Sequence, residues 1–189
     1  MPFVGTKADG TGSTSFSSVF PITVTDVTLI GDADIPEGAF TFCTGIRTLT
    51  VGDGIGVIGV RAFANCVSLT DVTLGASVRI LGDYSFASCP LLESIRLPES
   101  VESIGVRAFY SCTRLKNLII RENVTAIGAN AFGDCSAINR ISFLDEEGWY
   151  ATESADDWES MTGGTAVDAT DTAENKNIFT QENVYWYKL

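Results

Sequence analysis

Apolar and polar residues alternate along short stretches of this chain, and these stretches recur every 23 residues. In each stretch except 118–120 two apolar positions flank one polar position, a period of two that predicts a short β-strand with one buried face. The first apolar position is occupied by Leu49, Val72, Ile95, Leu118 and Ile141, and the second by Val51, Leu74, Leu97, Ile120 and Phe143. Val24, Val27 and Leu29 repeat the pattern one period earlier with one residue deleted, so we expect six strands.

The same period positions a phenylalanine and, three residues later, a cysteine. These pairs are Phe40 and Cys43, Phe63 and Cys66, Phe86 and Cys89, Phe109 and Cys112, and Phe132 and Cys135. Residues three apart share one face of a helical turn, so each pair predicts a short helical or 3₁₀ turn with both side chains inward. A glycine precedes the later turns, at Gly59, Gly82, Gly105 and Gly128. It predicts either a positive φ or a close approach to the next coil.

A fixed period of about 20 to 50 residues is typical of a solenoid, in which each repeat buries its apolar face against its neighbours. We therefore predict an α/β repeat solenoid, with parallel strands on one side and short turns opposite. The repeats define three regions: an N-terminal flank or cap at 1–22, a solenoid of about five to six coils at 23–143, and a C-terminal cap at 144–189.

The unit at 101–120, VESIGVRAFYSCTRLKNLII, resembles the repeat of the BspA-like leucine-rich repeat family of bacterial and protozoal surface proteins. The resemblance extends from about Val24 to Phe143 and rests on Ile-Gly, Ala-Phe and Cys at fixed spacing. The chain departs from the pattern at Pro36, which replaces the glycine of the first coil, and after Phe143. The resemblance implies a curved solenoid with its strands on the concave side, an extracellular or cell-surface location, and a non-enzymatic role in adhesion or protein binding.

The concave side of a leucine-rich repeat solenoid is its usual binding surface. Here the positions that alternate with the buried ones would line it, and we call them the strand face. They are Thr48, Thr50, Asp71, Thr73, Ser94, Arg96, Asn117, Ile119, Arg140 and Ser142. Arg96 and Arg140 are the best candidates for ligand contacts, because arginine is enriched among residues that dominate binding energy. The partner would be a protein or a glycan, including one supplied by a host; the alternative is a passive spacer in a longer surface protein.

Charge and hydropathy narrow the range of partners. The chain has 24 acidic and 12 basic residues, a net charge of −12 that opposes nucleic acid and anionic lipid. We expect no membrane insertion, because the longest nearly apolar stretch, Gly54 to Val60, is far shorter than the roughly 18 residues of a membrane span. The first residues are rich in Gly, Ser and Thr and lack the apolar run of a signal peptide. The expected surface location therefore rests on the family resemblance.

No residue pattern here predicts a cofactor, a metal or a catalytic group. The chain has no histidine, which removes the commonest general base and the Ser-His and Cys-His nucleophile pairs. The cysteines lack the close pairs of zinc sites, and equivalent positions in stacked coils point side by side. We therefore predict buried, reduced thiols.

The tail at 144–189 differs from the repeats, since it has eleven acids, two bases and all three tryptophans. Aromatic side chains can cover the apolar layer that the last coil of a solenoid exposes, so we expect a cap. Two alternatives remain open for this region: a carbohydrate platform on the tryptophans Trp149, Trp158 and Trp186, or a weak calcium site at Asp168, Asp171 and Glu174. A carbohydrate-active module is the least supported function.

Overall fold

A computed structural model describes residues 3–6, 24–153, 155, 161, 163–166, 169–170 and 184–189. In this range the chain is a β-solenoid of about five turns with parallel strands and almost no helix. The predicted repeat solenoid is therefore confirmed, with a smaller helical component than the Phe–Cys spacing suggested.

The first sheet contains strands that the alternating pattern predicted, together with a strand at Phe3–Thr6 in the N-terminal flank, which the pattern did not predict. Its N-terminal part is parallel and four-stranded, in the order β1 (Phe3–Thr6), β2 (Asp26–Ile30), β3 (Thr48–Val51) and β5 (Asp71–Thr73). Its C-terminal part is a parallel pair, β8 (Asn117–Ile120) and β10 (Arg140–Phe143). Between the two parts, residues 94–97 form no strand, although Ile95 and Leu97 are buried like their counterparts. Five of the six expected strands are therefore present.

A second sheet, which the sequence did not predict, lies along another side of the coils. It is parallel in the order β4 (Val57–Ile58), β6 (Ile80–Leu81), β7 (Ser103–Ile104) and β9 (Ala126–Ile127). Each strand has only two residues and buries one of them. A two-residue strand is too short to show an alternating pattern, so the sequence revealed only the buried column at Ile58, Leu81, Ile104 and Ile127.

The Phe–Cys segments are single hydrogen-bonded turns rather than helices. In the second coil Ala62 N donates to Gly59 O (3.1 Å), and Ala64 N donates to Arg61 O (3.1 Å). Arg61 and Asn65 have positive φ, 54° and 60°, and the later coils repeat this at the equivalent positions. Since a helix of L-residues requires negative φ throughout, these two residues confine each segment to a turn.

The repeat glycines are needed for close approach between coils, the second of the two predicted reasons. A Cβ added at Gly82 would lie 2.8 Å from the carbonyl carbon of Gly59, and one at Gly128 would lie 2.4 Å from the nitrogen of Val106. Both separations are shorter than van der Waals contact allows. Positive φ occurs instead two residues later, at Arg61, Tyr84, Arg107 and Asn130.

Phenylalanine and cysteine each form a continuous column through the core. Phe40, Phe63, Phe86, Phe109 and Phe132 stack with centroid separations of 5.0 to 5.5 Å and interplanar angles of 3 to 9°. The cysteines are buried, as predicted, and their thiols are free. Each thiol from Cys66 onward donates to the carbonyl oxygen of the phenylalanine 26 residues earlier, at 3.1 to 3.4 Å. The cysteine column is therefore hydrogen-bonded to the preceding coil as well as packed against it.

Antiparallel strands from the tail extend the second sheet beyond the last coil. β13 (Tyr185–Lys188) pairs with β9, β11 (Trp149–Thr152) pairs with β13, and β12 (Thr165–Ala166) pairs with β11. Phe143 packs edge-on to Trp149 (centroids 4.9 Å apart) and stacks with Trp186 (6.2 Å). An ion pair joins Lys188 to Asp145, and this contact lowers the pKa of Asp145. The tail therefore packs directly on the end of the repeat array.

Candidate functional site

The strand face is accessible along the described solenoid. Of its ten predicted residues, Thr48 and Ser142 are half-buried and the others are exposed, while the residues between them point into the core. The alternation therefore assigned the exposed and buried sides of these segments correctly. Whether the exposed residues bind anything is a separate question, which their chemistry addresses.

The strand face is divided by the stretch that forms no strand. Pro98 follows this stretch and has no N–H, whereas Gly52, at the equivalent position two coils earlier, donates its N–H to Leu29 O (2.9 Å). No main-chain hydrogen bond among the described residues involves residues 94–97. Ser94 and Arg96 therefore lie in the break between the two parts of the first sheet.

The N-terminal part of the strand face combines carboxylates with hydroxyls. The Thr48 hydroxyl donates to Asp26 Oδ1 at 2.5 Å, and the Thr25 hydroxyl donates to Oδ2 at 2.7 Å. The hydrogen bond from Thr48 makes the largest contribution to lowering the pKa of Asp26, and the bond from Thr25 lowers it further. Thr70 similarly places its hydroxyl 2.6 Å from Asp71 Oδ2. The acidic groups at this end already have intramolecular hydrogen-bond donors.

The C-terminal part contains a shallow depression of about 600 Å³. The register of β8 and β10 places Arg140 beside Asn117, and Ser142 beside Ile119. Asn139 and Leu144 complete the exposed lining. The depression thus brings together four of the ten predicted residues, and the other six lie outside it.

Two basic residues in this half are held by acidic partners. Lys116 Nζ lies 2.7 Å from Glu93 Oε2, and this hydrogen bond lowers the pKa of Glu93. Arg121 Nη2 lies 2.7 Å from Glu99 Oε1. No ion pair is seen for Arg96 or Arg140 within the described part of the chain. The two predicted arginines are therefore the cations of the strand face that remain open to a ligand.

Two residues of the depression were missed by sequence reasoning. Asn139 precedes β10, and Leu144 follows it, so neither fell in the alternating positions. Leu144 nevertheless carries a signal, because the equivalent positions in the earlier coils are Gly52, Gly75, Pro98 and Arg121. Leu144 is exposed by 54%, and the register of β2 on β3 places one other exposed aliphatic residue at this position, Ile30 of the first coil, with 49% exposure.

The tail offers no carbohydrate platform at Trp149 or Trp186, because both side chains are buried, with 2% and 0% exposure. Their ring faces pack within the protein and cannot stack on a sugar. Trp158 and the three residues of the calcium alternative, Asp168, Asp171 and Glu174, lie outside the described residues. In the described part no group of three potential metal ligands is present, and no helix there is long and apolar enough to cross a bilayer.

Comparison with known families identifies the class to which this fold belongs. The BspA type leucine rich repeat region matches residues 33–147 in six copies, so the chain belongs to this family. The resemblance carried by the 23-residue unit is confirmed. Leucine-rich repeat proteins of this kind are typically non-enzymatic. A search of curated proteins finds no significant match.

Several solved bacterial structures have the same architecture. A leucine rich repeat protein of T. pallidum is 26% identical with a TM-score of 0.60, over 61% of this chain and 57% of that one. A leucine rich cell surface protein of Faecalibacterium prausnitzii is 28% identical with a TM-score of 0.61, over 78% and 38%. A leucine-rich repeat protein of Bacteroides ovatus is 34% identical with a TM-score of 0.54, over 59% and 28%. The match therefore spans between 28% and 57% of the length of these structures.

Proposed function

We propose that this chain is a non-enzymatic recognition module that acts at a microbial cell surface and binds a protein or glycan ligand through its strand face. The observation that carries the proposal is the depression on β8 and β10, which groups polar, cationic and aliphatic side chains on an exposed sheet surface. A rigid sheet surface lowers the entropy lost on binding, because its side chains are already positioned. The similar F. prausnitzii structure is that of a cell surface protein, which supports the location.

Charge reversal on the strand face tests this function. The protein is immobilised and screened against extracellular-matrix proteins, serum proteins and a glycan array, and hits are then measured with Arg96→Glu and Arg140→Glu. We expect either variant to weaken binding by about tenfold, since the loss of an interfacial charge contact costs on this order. Arg79→Glu is the matched control, because Arg79 is also exposed but lies beside the second sheet.

The melting temperature of each variant should stay at the wild-type value, because neither arginine takes part in an ion pair within the described residues. Hits that bind all three variants as tightly as wild type would place the binding surface elsewhere. Failure to bind any member of the panel would favour the alternative of a structural spacer.

A further inference from the structure

Two of the aliphatic side chains exposed along the first sheet lie together in the depression, whereas a third, Ile30, lies at the far end of the array in β2. Ile119 and Leu144 are each exposed by 54%. The preceding coils have Thr50, Thr73 and Arg96 at the position of Ile119, and Gly52, Gly75, Pro98 and Arg121 at that of Leu144. The two aliphatic side chains therefore give the depression a small apolar surface.

Among the described residues that line the same depression, one has a formal charge, and that charge is positive. Arg140 is exposed, and no carboxylate is among the residues that line the depression. The nearest strand-face carboxylate along the array, Asp71, belongs to the N-terminal part beyond the break. The charge of the described lining is therefore positive on a chain whose net charge is −12.

Asn117 and Asn139 supply amide groups beside the arginine. An asparagine side chain has one acceptor and two donor hydrogens, which match the N–H and C=O of a main-chain peptide group. None of the described residues that line the depression is aromatic, and its exposed apolar residues are aliphatic. This composition favours a peptide over a sugar, because sugar rings are commonly bound by stacking on aromatic side chains.

We infer that the depression binds an extended segment of a partner protein that carries an acidic side chain next to an aliphatic one. The guanidinium of Arg140 binds the carboxylate in the bidentate geometry that arginine favours. Ile119 and Leu144 contact the apolar side chain, and the two asparagines bond the main chain between them. This inference rests on the proposed binding function of the strand face and specifies its ligand.

A library of random linear peptides displayed on phage is the probe, selected on the intact protein at low ionic strength. We expect the enriched peptides to carry Asp or Glu two residues from Leu, Ile or Val, because side chains two residues apart in an extended strand point to the same side. A synthetic peptide of the enriched sequence is then titrated by calorimetry. Its affinity should fall as salt increases, because charge contacts at an exposed site are screened.

Variants of the protein locate the bound peptide. Arg140→Glu should weaken binding of the peptide about tenfold or more. Arg140→Lys should weaken it less, because lysine keeps the positive charge but cannot form the bidentate hydrogen bonds of a guanidinium. Ile119→Ser and Leu144→Ser should each weaken it without altering the salt dependence. The control Arg79→Glu should bind as wild type does. Arg140→Glu should in turn prefer a peptide whose acidic residue is replaced by lysine.

The outcomes separate this inference from the function on which it rests. Enrichment of basic peptides, or of acidic peptides insensitive to Arg140, would overturn the acidic ligand. A failure to enrich any peptide, with glycans that depend on Arg140, would also overturn it but would leave the strand face as the binding surface. If every probe binds all the strand-face variants as tightly as the wild type, both the acidic peptide ligand and the binding function of the strand face are wrong.

Discussion

Ser85 is the one polar residue in a buried column that alanine fills in the other coils, at Ala39, Ala62, Ala108 and Ala131. It has 0% exposure, and its hydroxyl has no hydrogen-bond partner among the described residues. A buried hydroxyl without a partner costs about 1 to 3 kcal/mol. The alanine column therefore contains an unfavourable polar group at Ser85.

Replacement of Ser85 by alanine should raise the free energy of unfolding by about 1 kcal/mol, because it removes the unpaired hydroxyl and loses little packing. Urea denaturation measures the change. The mirror substitution Ala108→Ser should lower stability by a similar amount, since Ala108 is equally buried. Loss of stability in Ser85→Ala would show that the hydroxyl is hydrogen-bonded, to water or otherwise.

The cysteine column makes the fold sensitive to alkali. Burial raises the pKa of Cys43 to about 11 and that of Cys66 to about 12, from an ordinary value of 9.0. In the unfolded chain the thiols ionise near that ordinary value, whereas the folded chain keeps them protonated. The free energy of unfolding contributed by these thiols is therefore complete below about pH 9 and is lost as the pH rises towards about 12.

We expect the stability of the wild-type protein, measured under reducing conditions, to fall across this range. Cys66→Ala should be less stable at neutral pH but should show a shallower fall, because one thiol no longer ionises on unfolding. A thiol reagent should label almost no cysteine in the native protein and all five after denaturation. Ready labelling of the native protein would contradict the burial of the column.

At the scale of elements, the coil that contains residues 94–97 leaves the second sheet continuous but interrupts the first. The second sheet continues from β6 to β7 across the coil that contains residues 94–97, and the Phe86 ring stacks on both neighbours there. The first sheet is interrupted at that coil. The main-chain N–H groups of residues 94–97 therefore lack the protection that their counterparts in β3 receive from β2.

Hydrogen exchange should detect this difference. Amides of residues 94–97 should exchange much faster than those of Thr48–Val51, because exchange from hydrogen-bonded strands requires local opening. Exchange followed by mass spectrometry or NMR provides the measurement, with Ser103–Ile104 of the intact second sheet as an internal control. Equal protection in both segments would mean that the first sheet is continuous in solution.

At the scale of the whole molecule, the tail is joined to the repeats by hydrogen bonds, an ion pair and aromatic packing. β13 covers the outer edge of β9, and Lys188 N donates to Thr125 O at 2.8 Å. Trp186 is completely buried against this end of the array. An uncovered strand edge is a template for pairing with another chain, so this contact also affects association.

Trp186→Ala should destabilise the protein by about 3 to 5 kcal/mol, the usual cost of removing a buried tryptophan. Leu189→Ser is the control, because Leu189 is exposed by 71% and should tolerate the change. Deletion of residues 184–189 should also produce oligomers in size-exclusion chromatography. If the truncated protein stays monomeric and equally stable, the tail is not a cap.

The sequence alone determined the period, the inward side of each coil and the family. These properties follow from side-chain chemistry repeated at a fixed spacing: Leu118 and Ile120 are buried and Asn117 and Ile119 exposed because alternate residues of a strand face opposite sides. The exposure of Arg96 and Arg140 could be predicted for the same reason. Whether these arginines are open to a ligand could not be predicted, because it depends on which acidic side chains lie within ion-pairing distance of them in the fold.

Only the tertiary structure decided the break in the first sheet, the second sheet and the residues of the depression. Ile95 and Leu97 are buried and alternate with exposed residues as their counterparts do, yet residues 94–97 form no strand. A parallel β-strand also requires hydrogen bonds between its main chain and that of a neighbouring coil, and the side-chain pattern does not report them. Leu144 joins Ile119 in the depression through the register of β10 on β8. Such contacts depend on the distance between coils, which a one-dimensional pattern of side chains does not contain.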